Sequence, residues 1–509
     1  MNATDKLFVL IKSLDKNEKG YFKKYTSKHI QGDGNKYLKL FDAISKQKEY
    51  NEALLLKKFA GEKFSKQLHV IKNRLLQNVL KALQNYYSNI SPNATLKNTL
   101  LQIEIAYKKG LYELCSELLL KAKKAALIHE DETDALLFEI IEWEKKLLFK
   151  QAKDVNKIDL SLNALKREEE ESIIKYNNNR EYRFLADKIL LINLKEGINL
   201  SKESKNRMAQ LARHPLLKTE KNALTFGAQY WYNTFYELFY YLNKDTLSSI
   251  KFTKRKLELL EENTILLINP TRYLSTSYNL AVLYYGQKNY KEMLSIIRKA
   301  KATRATMIDA KVKKFVLFHL LELQIYNEIG EFEKALDLVP DISQGLDDYE
   351  GKITAGYLSH FCMEIAYTFF GLGNYKMSLK WLNKLLNKKN KGEREDILIG
   401  AKLINLLLHI EMGNYLLVES AIKSLLRFFE KKKPDYKREM LFVETIEKII
   451  LETNQKKSIL MMKSLKESMM IVIKKGIHQE SKDMNEYIQN WLESKITNQS
   501  FAEIVRSKV

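Results

Sequence analysis

The chain has 509 residues, of which 45% are hydrophobic, and it carries a formal net charge of +22. This apolar content is ample for a packed core, and the absence of any uninterrupted apolar run of about 18 to 20 residues argues against a membrane protein. Cys115 and Cys362 are far apart and lie in helical patterns, so we expect core thiols rather than a disulfide. Reduced thiols and the short apolar stretch at residues 7–11, which is too short for a signal peptide, favour a cytoplasmic location.

The N-terminal residues are predicted to form a small basic helical domain over residues 1–92. Residues 1–100 hold 19 lysines and arginines against 8 aspartates and glutamates, a net charge of +11. Helical patterns span about 5–13, 16–28, 37–44, 51–60 and 64–87, with Thr4 and Asp15 as N-caps of the first two. A turn-rich stretch at 88–93 predicts a linker after this domain.

The last of these helices carries a basic row. At 100° per residue its cations fall within an arc of about 80°, opposite the apolar stripe. They are Lys63, Lys66, Arg74 and Lys81. Such a row suits a nucleic-acid phosphate backbone, and the alternative is a solvated outer face of a basic protein. Nucleic acid is therefore a possible partner of residues 1–92.

Residues 277–300 show the pattern around which the rest of the chain is organised, namely two helices joined by a turn at residues 287–289. Related pairs follow with turns at Gly330, Gly373 and Gly413, at steps of 42, 43 and 40 residues from Lys288. Weaker pairs turn near residues 110, 154, 197 and 244. Because an isolated helical hairpin leaves one apolar face bare, such copies are expected to stack. Runs with strand-like alternation are absent and the prolines fall where helical patterns break, so the prediction is an all-α fold.

The repeated pattern resembles the tetratricopeptide family, whose first helix carries Trp-x-x-Leu-Gly-x-x-Tyr and whose second carries Ala-x-x-x-Phe. The matching first-helix positions here are Ser277 (in place of Trp), Leu280, Ala281 and Tyr284. Met293 and Ile297 match the second helix, with methionine in place of alanine, and Ala335 in the next copy restores the alanine. The step is longer than the family's usual length of about 34 residues. The resemblance covers about 275–430 and implies a right-handed α-solenoid of antiparallel helix pairs, which we place at 93–434.

Residues 435–509 are predicted to be a helical C-terminal cap with helices at about 436–453, 457–475 and 481–495. The last helix has an apolar stripe that includes Tyr487 and Trp491, and we expect it to shield the final repeat. The middle helix is rich in methionine, which is typical either of core packing or of an adaptable binding surface. Its methionines are Met461, Met462, Met469 and Met470.

The resemblance also implies that the first helices line a concave groove. In that register, the residues predicted to face it are Trp231, Tyr241, Tyr278, Val282, Tyr285, Gln324, Asn327, Tyr367 and Phe370. Tetratricopeptide grooves that hold chaperone tails clamp a terminal carboxylate with lysine and asparagine. The aromatic and aliphatic character of this groove argues against that partner class. The alternative is that these residues form the core between repeats.

Nothing in the sequence points to catalysis. Nucleotide-binding loops, Gly-x-Ser-x-Gly and Cys-x-x-Cys are absent, and no histidine has a second ligand at metal spacing. His409 replaces the aromatic residue of sister repeats and is expected in the core. We therefore predict a non-enzymatic cytoplasmic scaffold or adaptor, without metal or cofactor, that binds a protein or peptide partner. The alternative function is a nucleic-acid-binding regulator that uses the basic N-terminal domain.

Overall fold

A computed structural model of the chain describes residues 3–29, 34–128, 130–151, 154–263, 270–387, 395–430, 436–474 and 482–508. Throughout these ranges the regular structure is helical and no β-strand occurs, so the all-α prediction is confirmed. The chain divides into two compact units, Met1–Asn269 and Pro270–Val509. The domain boundaries predicted at residues 92 and 434 stay predictions.

The first unit consists of α-helices that pack mainly against their neighbours in sequence. They are α1 (Ala3–Ser13), α2 (Lys16–His29), α3 (Gly34–Lys46), α4 (Glu52–Lys58), α5 (Leu68–Tyr86), α6 (Pro92–Lys108), α7 (Tyr112–Ile128), α8 (Glu130–Gln151), α9 (Val155–Glu196), α10 (Lys202–Leu211), α11 (Phe226–Leu242) and α12 (Thr246–Glu262). Short 3₁₀ helices occupy Lys63–Gln67, Pro215–Lys218 and Glu220–Asn222.

The N-terminal helices follow the predicted pattern with two corrections. Asp15 caps α2 as predicted, since its carboxylate accepts from the Glu18 amide at 2.8 Å and its own amide donates to the Glu18 side chain at 2.6 Å. The expected cap at Thr4 is wrong because α1 already includes this residue. The helix predicted at 64–87 is interrupted, with a 3₁₀ turn up to Gln67 before α5 begins.

The segment 130–196 differs most from expectation. Between the turns predicted near residues 154 and 197 the pair pattern implies two helices, but α9 runs unbroken for 42 residues. No glycine or proline interrupts it until Gly197, where φ is 59°. Helix α9 also carries four consecutive glutamates at 168–171. Two of them are only partly exposed, because Glu168 pairs with Lys123 at 2.7 Å and Glu169 with Lys145 at 2.9 Å.

The second unit consists of helix pairs followed by four C-terminal helices. They are α13 (Thr271–Gly286), α14 (Tyr290–Ala302), α15 (Ile308–Glu328), α16 (Phe332–Asp348), α17 (Ala355–Gly371), α18 (Tyr375–Leu386), α19 (Glu395–Glu411), α20 (Tyr415–Glu430), α21 (Lys437–Leu451), α22 (Gln455–Lys474), α23 (Lys482–Thr497) and α24 (Phe501–Arg506). Pro340 lies inside α16, so the expectation that every proline marks a break is wrong there.

The predicted turns have one recurring geometry. Backbone φ is positive at Gly110, Gly197, Lys244, Lys288, Gly330, Gly373 and Gly413. At all of these except Gly197, the next amide reaches back to the preceding helix, as from Asn289 to the Tyr284 carbonyl at 3.0 Å. This is the Schellman helix ending, which favours a left-handed residue. These turns were predicted from sequence and are confirmed. The eighth predicted turn, near residue 154, includes residues 152–153, which lie outside the described residues.

A second recurring contact ties the second helix to the first in three of the pairs. Ser249 Oγ donates to the carbonyl of Glu237 at 3.0 Å, and Ser378 Oγ donates to the carbonyl of Ala366 at 2.6 Å, each across twelve residues. Cys115 Sγ makes the same contact with the carbonyl twelve residues before it. Met293 and Ala335 occupy this position in their own pairs and are fully buried. The two helices therefore approach closely at one equivalent place in successive pairs.

The first helices of the second unit form what we call the first-helix layer, α13, α15, α17 and α19. Each packs against the next in this order and also against its own second helix. The core thiol prediction is confirmed, because both cysteines are buried and neither forms a disulfide. His409 is buried as predicted. Met469 is buried and Met461 and Met462 pack against the core, while the side chain of Met470 lies outside the described residues.

Candidate binding cavity between the first-helix layer and the C-terminal helices

The C-terminal helices α23 and α24 pack across the first-helix layer. The ring of Tyr487 packs at a tilt, 4.8 Å from the ring of Tyr367 and 5.0 Å from that of Phe370. Phe501 lies 5.1 Å from the same Phe370 ring and 6.2 Å from that of Phe332. The closing helix was expected to shield the last repeat, and its contacts extend further, to Tyr367 and Phe370 of α17.

Polar contacts fix both ends of this C-terminal segment. At the end of α19, Glu411 accepts from the indole of Trp491 at 2.6 Å and pairs with Lys495. At the other end, Arg506 donates to the Gly330 carbonyl at 2.9 Å and pairs with Glu333 at 2.8 Å. The Trp491–Glu411 contact joins residues 80 apart in sequence and the Arg506–Gly330 contact joins residues 176 apart. The segment therefore spans the layer from α19 back to the turn after α15.

A cavity of about 330 Å³ lies between the first-helix layer and this segment. It is at the C-terminal ends of the first helices, where α13 ends at Gly286 and α15 ends at Glu328. The layer contributes Tyr285, Gly286, Lys288, Gln324, Asn327, Glu328, Met363, Glu364, Tyr367 and Ile404; the C-terminal helices contribute Glu486, Tyr487, Asn490 and Val505. Its volume is at the lower end of the range typical of small-ligand sites.

One wall of the cavity is a hydrogen-bonded network that holds Glu364. Its carboxylate accepts from Asn327 at 2.9 Å and from Gln324 at 3.3 Å. The Asn327 carbonyl oxygen accepts from the hydroxyl of Thr368 at 2.8 Å. Because Asn327 is only 2% exposed and bonded on both sides, it positions Glu364 rather than offering a free surface.

A second carboxylate, that of Glu328, is only half satisfied. Its Oε1 accepts from the hydroxyl of Tyr290 at 3.1 Å. Its Oε2 is buried and has no hydrogen-bond partner among the described residues. The hydroxyl of Tyr487, in a residue that is 3% exposed, is likewise buried without a partner within the described part of the chain. Buried polar groups without partners are unusual and call for an explanation.

The cavity has a negative electrostatic environment. Burial raises the pKa of Tyr367, and the charges of Glu364 and Glu486 raise it further. Burial followed by the charge of Glu328 raises the pKa of Tyr290 in the same way. Both effects disfavour a phenolate beside the carboxylates. Lys288 is the one cation among the described residues that line the cavity.

The structure brings together four of the predicted groove residues and separates the others. Tyr285, Gln324, Asn327 and Tyr367 all line the cavity. Phe370 is 1% exposed under Tyr487 and Phe501, so the open groove expected around it is filled by the chain's own C-terminal helices. Tyr278 and Val282 are half-buried on α13, outside the cavity lining.

The remaining two groove residues belong to the first unit. Trp231 is half-buried on α11 with the guanidinium of Arg183 5.5 Å from its ring. Tyr241 is exposed at the end of the same helix. Sequence reasoning missed Glu364, Glu486 and Asn490. A register argument confined to first helices could have found Glu364 beside Met363, but it carries no signal for residues of α23.

The predicted basic row is divided between two elements. Lys66 lies in the 3₁₀ turn, whereas Arg74 and Lys81 lie seven residues apart on one face of α5. All three are exposed, and none has a carboxylate within ion-pair distance in the described ranges. The side chain of Lys63 lies outside the described residues. The single helical row expected from sequence is therefore wrong, although the cations are exposed.

Comparisons of the chain with protein-family models, curated proteins and solved structures found no match. Among the described residues, no group of three or more histidine, cysteine, aspartate or glutamate side chains is arranged to hold a metal ion. Nor is any helix in those residues both long and apolar enough to cross a membrane.

Proposed function

We propose that this chain is a cytoplasmic, non-enzymatic scaffold or adaptor that binds a protein or peptide partner and uses no cofactor. We further propose that its helix pairs form a right-handed solenoid of the tetratricopeptide type. The repeated turns at steps of 40 to 43 residues support the second proposal. Helical repeat arrays present large continuous surfaces, which is the usual basis of protein binding by such folds.

The observation that carries the proposed function is the cavity at the first-helix layer. Aromatic and amide side chains predicted from sequence to face a partner, such as Tyr285 and Gln324, line this one concave site. Rigid aromatic side chains are common anchors of binding energy at protein interfaces. The three glutamates of the lining also argue against a partner held by its terminal carboxylate, because like charges repel.

Affinity capture from the native host tests this function. The bait is the full chain, with Tyr285→Ala as the site variant, because Tyr285 is a predicted groove residue that lines the cavity. Tyr415→Ala is the matched control, since this tyrosine is 63% exposed on α20. We expect a partner that wild type and the control retain and the site variant loses. A partner retained equally by all three would place binding elsewhere, and no reproducible partner would contradict the scaffold function.

A second candidate is nucleic-acid binding by the first unit, favoured by the exposed cations Lys66, Arg74 and Lys81, which have no carboxylate partners among the described residues. Phosphate contacts of this kind make binding strongly salt-dependent. The test is a filter-binding titration of the full chain with single- and double-stranded DNA and RNA at low and high salt. This function predicts that Arg74→Ala/Lys81→Ala weakens binding and lowers the salt slope by about 2. No affinity at low salt would exclude it.

A further inference from the structure

We propose that the cavity binds the guanidinium group of an arginine side chain from a partner peptide. The inference rests on the proposed scaffold function and adds the chemistry by which a partner would be recognised. Three independent features of the site support it: the sign of its charge, its unsatisfied buried polar atoms, and its tyrosine walls.

The charge of the cavity is opposite to that of the protein. The chain as a whole carries +22, yet the described lining has three carboxylates, Glu328, Glu364 and Glu486, against the single cation Lys288. The last residues of two helices, Gly286 of α13 and Glu328 of α15, also line the cavity, and helix C-termini favour positive charge. The site therefore attracts a cationic ligand electrostatically, whereas it repels an anion and gives a neutral ligand no such attraction.

Buried acceptors in the wall are also without donors. Glu328 Oε2 and the Tyr487 hydroxyl have no hydrogen-bond partner among the described residues, and Tyr487 is itself almost completely buried. A carboxylate left with an empty acceptor pays a desolvation cost, and a donor from a ligand would remove this cost once the Glu328 side chain turns toward the cavity. A guanidinium group has five donors in a planar fork and can satisfy more than one such acceptor together.

The walls favour a guanidinium group over an ammonium group. Tyr285, Tyr367 and Tyr487 contribute three phenol rings to one lining. A planar guanidinium stacks on aromatic faces and is more weakly hydrated than an ammonium ion, so it loses less on entering a half-buried site. The volume of about 330 Å³ is sufficient for one side chain rather than for a folded segment.

The C-terminal helix α23 is part of the site and does not merely cover it. Glu486 is exposed at the edge of the cavity, and the buried Asn490 lines the cavity with it. Glu486 thus gives a variant that removes one charge from the site without disturbing the core. Glu364 is less suitable, because its carboxylate holds Asn327 and Gln324 in place.

Calorimetric titration of the full chain tests this assignment. The probes are acetyl-Gly-Arg-Gly-amide, its lysine and citrulline counterparts, and free L-arginine. We expect the arginine peptide to bind about tenfold or more tightly than the neutral citrulline peptide, and more tightly than lysine. Free L-arginine is expected to bind more weakly than the peptide, because its carboxylate faces the glutamates. Glu486→Gln and Glu328→Gln should each weaken the arginine peptide about threefold to tenfold, and the exposed Glu419→Gln on α20 should leave it unchanged.

Several results would overturn the proposal. They are equal affinity for arginine and citrulline peptides, no binding by wild type at millimolar concentrations, or full retention by both glutamine variants. Free L-arginine binding as tightly as the peptide would overturn the assignment to a peptide partner. Failure of this inference differs from failure of the scaffold function. Suppose that Tyr285→Ala loses a captured partner while Glu486→Gln and Glu328→Gln retain it. This result would support the scaffold function and contradict the arginine site.

Discussion

The two compact units build similar helix pairs into different arrangements. In the second unit the turns recur at steps of 40 to 43 residues and the first helices pack in one ordered layer. In the first unit the regular step is interrupted by the 42-residue helix α9 and by short 3₁₀ segments. The regularly spaced pairs of the second unit thus form a continuous face that can hold a site. The irregular connections of the first unit leave its helices packed mainly against their sequence neighbours.

The two units also stabilise their interiors differently. The first unit buries an ion pair between Lys256 and Glu237, which are 3% and 4% exposed. The second unit closes its first-helix layer with rings, since Phe501 packs on Phe332, Tyr367, Phe370 and Tyr487. A buried pair depends on both partners, whereas a ring cluster loses stability in proportion to the surface removed.

The largest effect is expected from breaking the buried pair of the first unit. Lys256→Met leaves the carboxylate of Glu237 buried without its cation, so the free energy of unfolding should fall by about 3–5 kcal/mol. Urea unfolding followed by circular dichroism measures it. Lys256→Met/Glu237→Leu should recover most of the loss, and Lys334→Met at an exposed pair is the control. A single variant no less stable than this control would show that the pair is not buried in solution.

The ring cluster of the second unit should give the next largest effect. Phe501→Ala removes a buried ring that touches four others and should lower the free energy of unfolding by about 3 kcal/mol. Leu416→Ala, at a side chain that is largely exposed on α20, is the matched control. Equal stability of the two variants would mean that α24 does not pack on the first-helix layer.

A smaller effect is expected where two helices of the second unit approach closely. A Cβ at Gly371 would come within 2.5 Å of the Phe332 ring, so Gly371→Ala should cost about 1–3 kcal/mol. Gly356→Ala, in the same helix with nothing within 4 Å, should be neutral or stabilising. Thermal unfolding of these variants, with Phe332→Leu in a double-mutant cycle, measures the coupling. Additive effects would contradict the contact.

The smallest expected effect is a pH dependence that belongs to the second unit. Burial, with Lys301 nearby, lowers the pKa of His319 below its usual value of 6.5, and burial also lowers that of His409. Below about pH 6.5 the unfolded chain binds protons that the folded chain does not, so stability should fall as pH decreases through this range. Thermal unfolding from pH 7.5 to 5.5 should show a shallower decline in His319→Gln/His409→Gln than in wild type. If stability declined equally steeply with pH in the variant and in wild type, the two histidines would not be the cause of the decline.

Sequence reasoning located the elements whose signal is local. The turns at Gly330, Gly373 and Gly413 were predictable because a left-handed residue and an aromatic residue mark each one. The unbroken α9 was missed although no glycine or proline lies within it, because the pair pattern was extended to a segment whose buried residues are confined to Tyr182–Ile192. The filling of the groove at Phe370 was missed for a different reason: contacts of Tyr487 and Phe501 across more than a hundred residues leave no periodic signal.

Hydrogen exchange of Ala335→Arg tests most directly whether the chain is an array of helix pairs. Ala335 is fully buried at the close-approach position of α16, and a long charged side chain there should cost several kcal/mol. Lys334→Arg, at the exposed neighbouring position, is the control. The array predicts that exchange rises mainly across about 300–400 while residues 1–90 keep their protection. A uniform loss of protection along the whole chain would mean one cooperative globular body and would contradict this account.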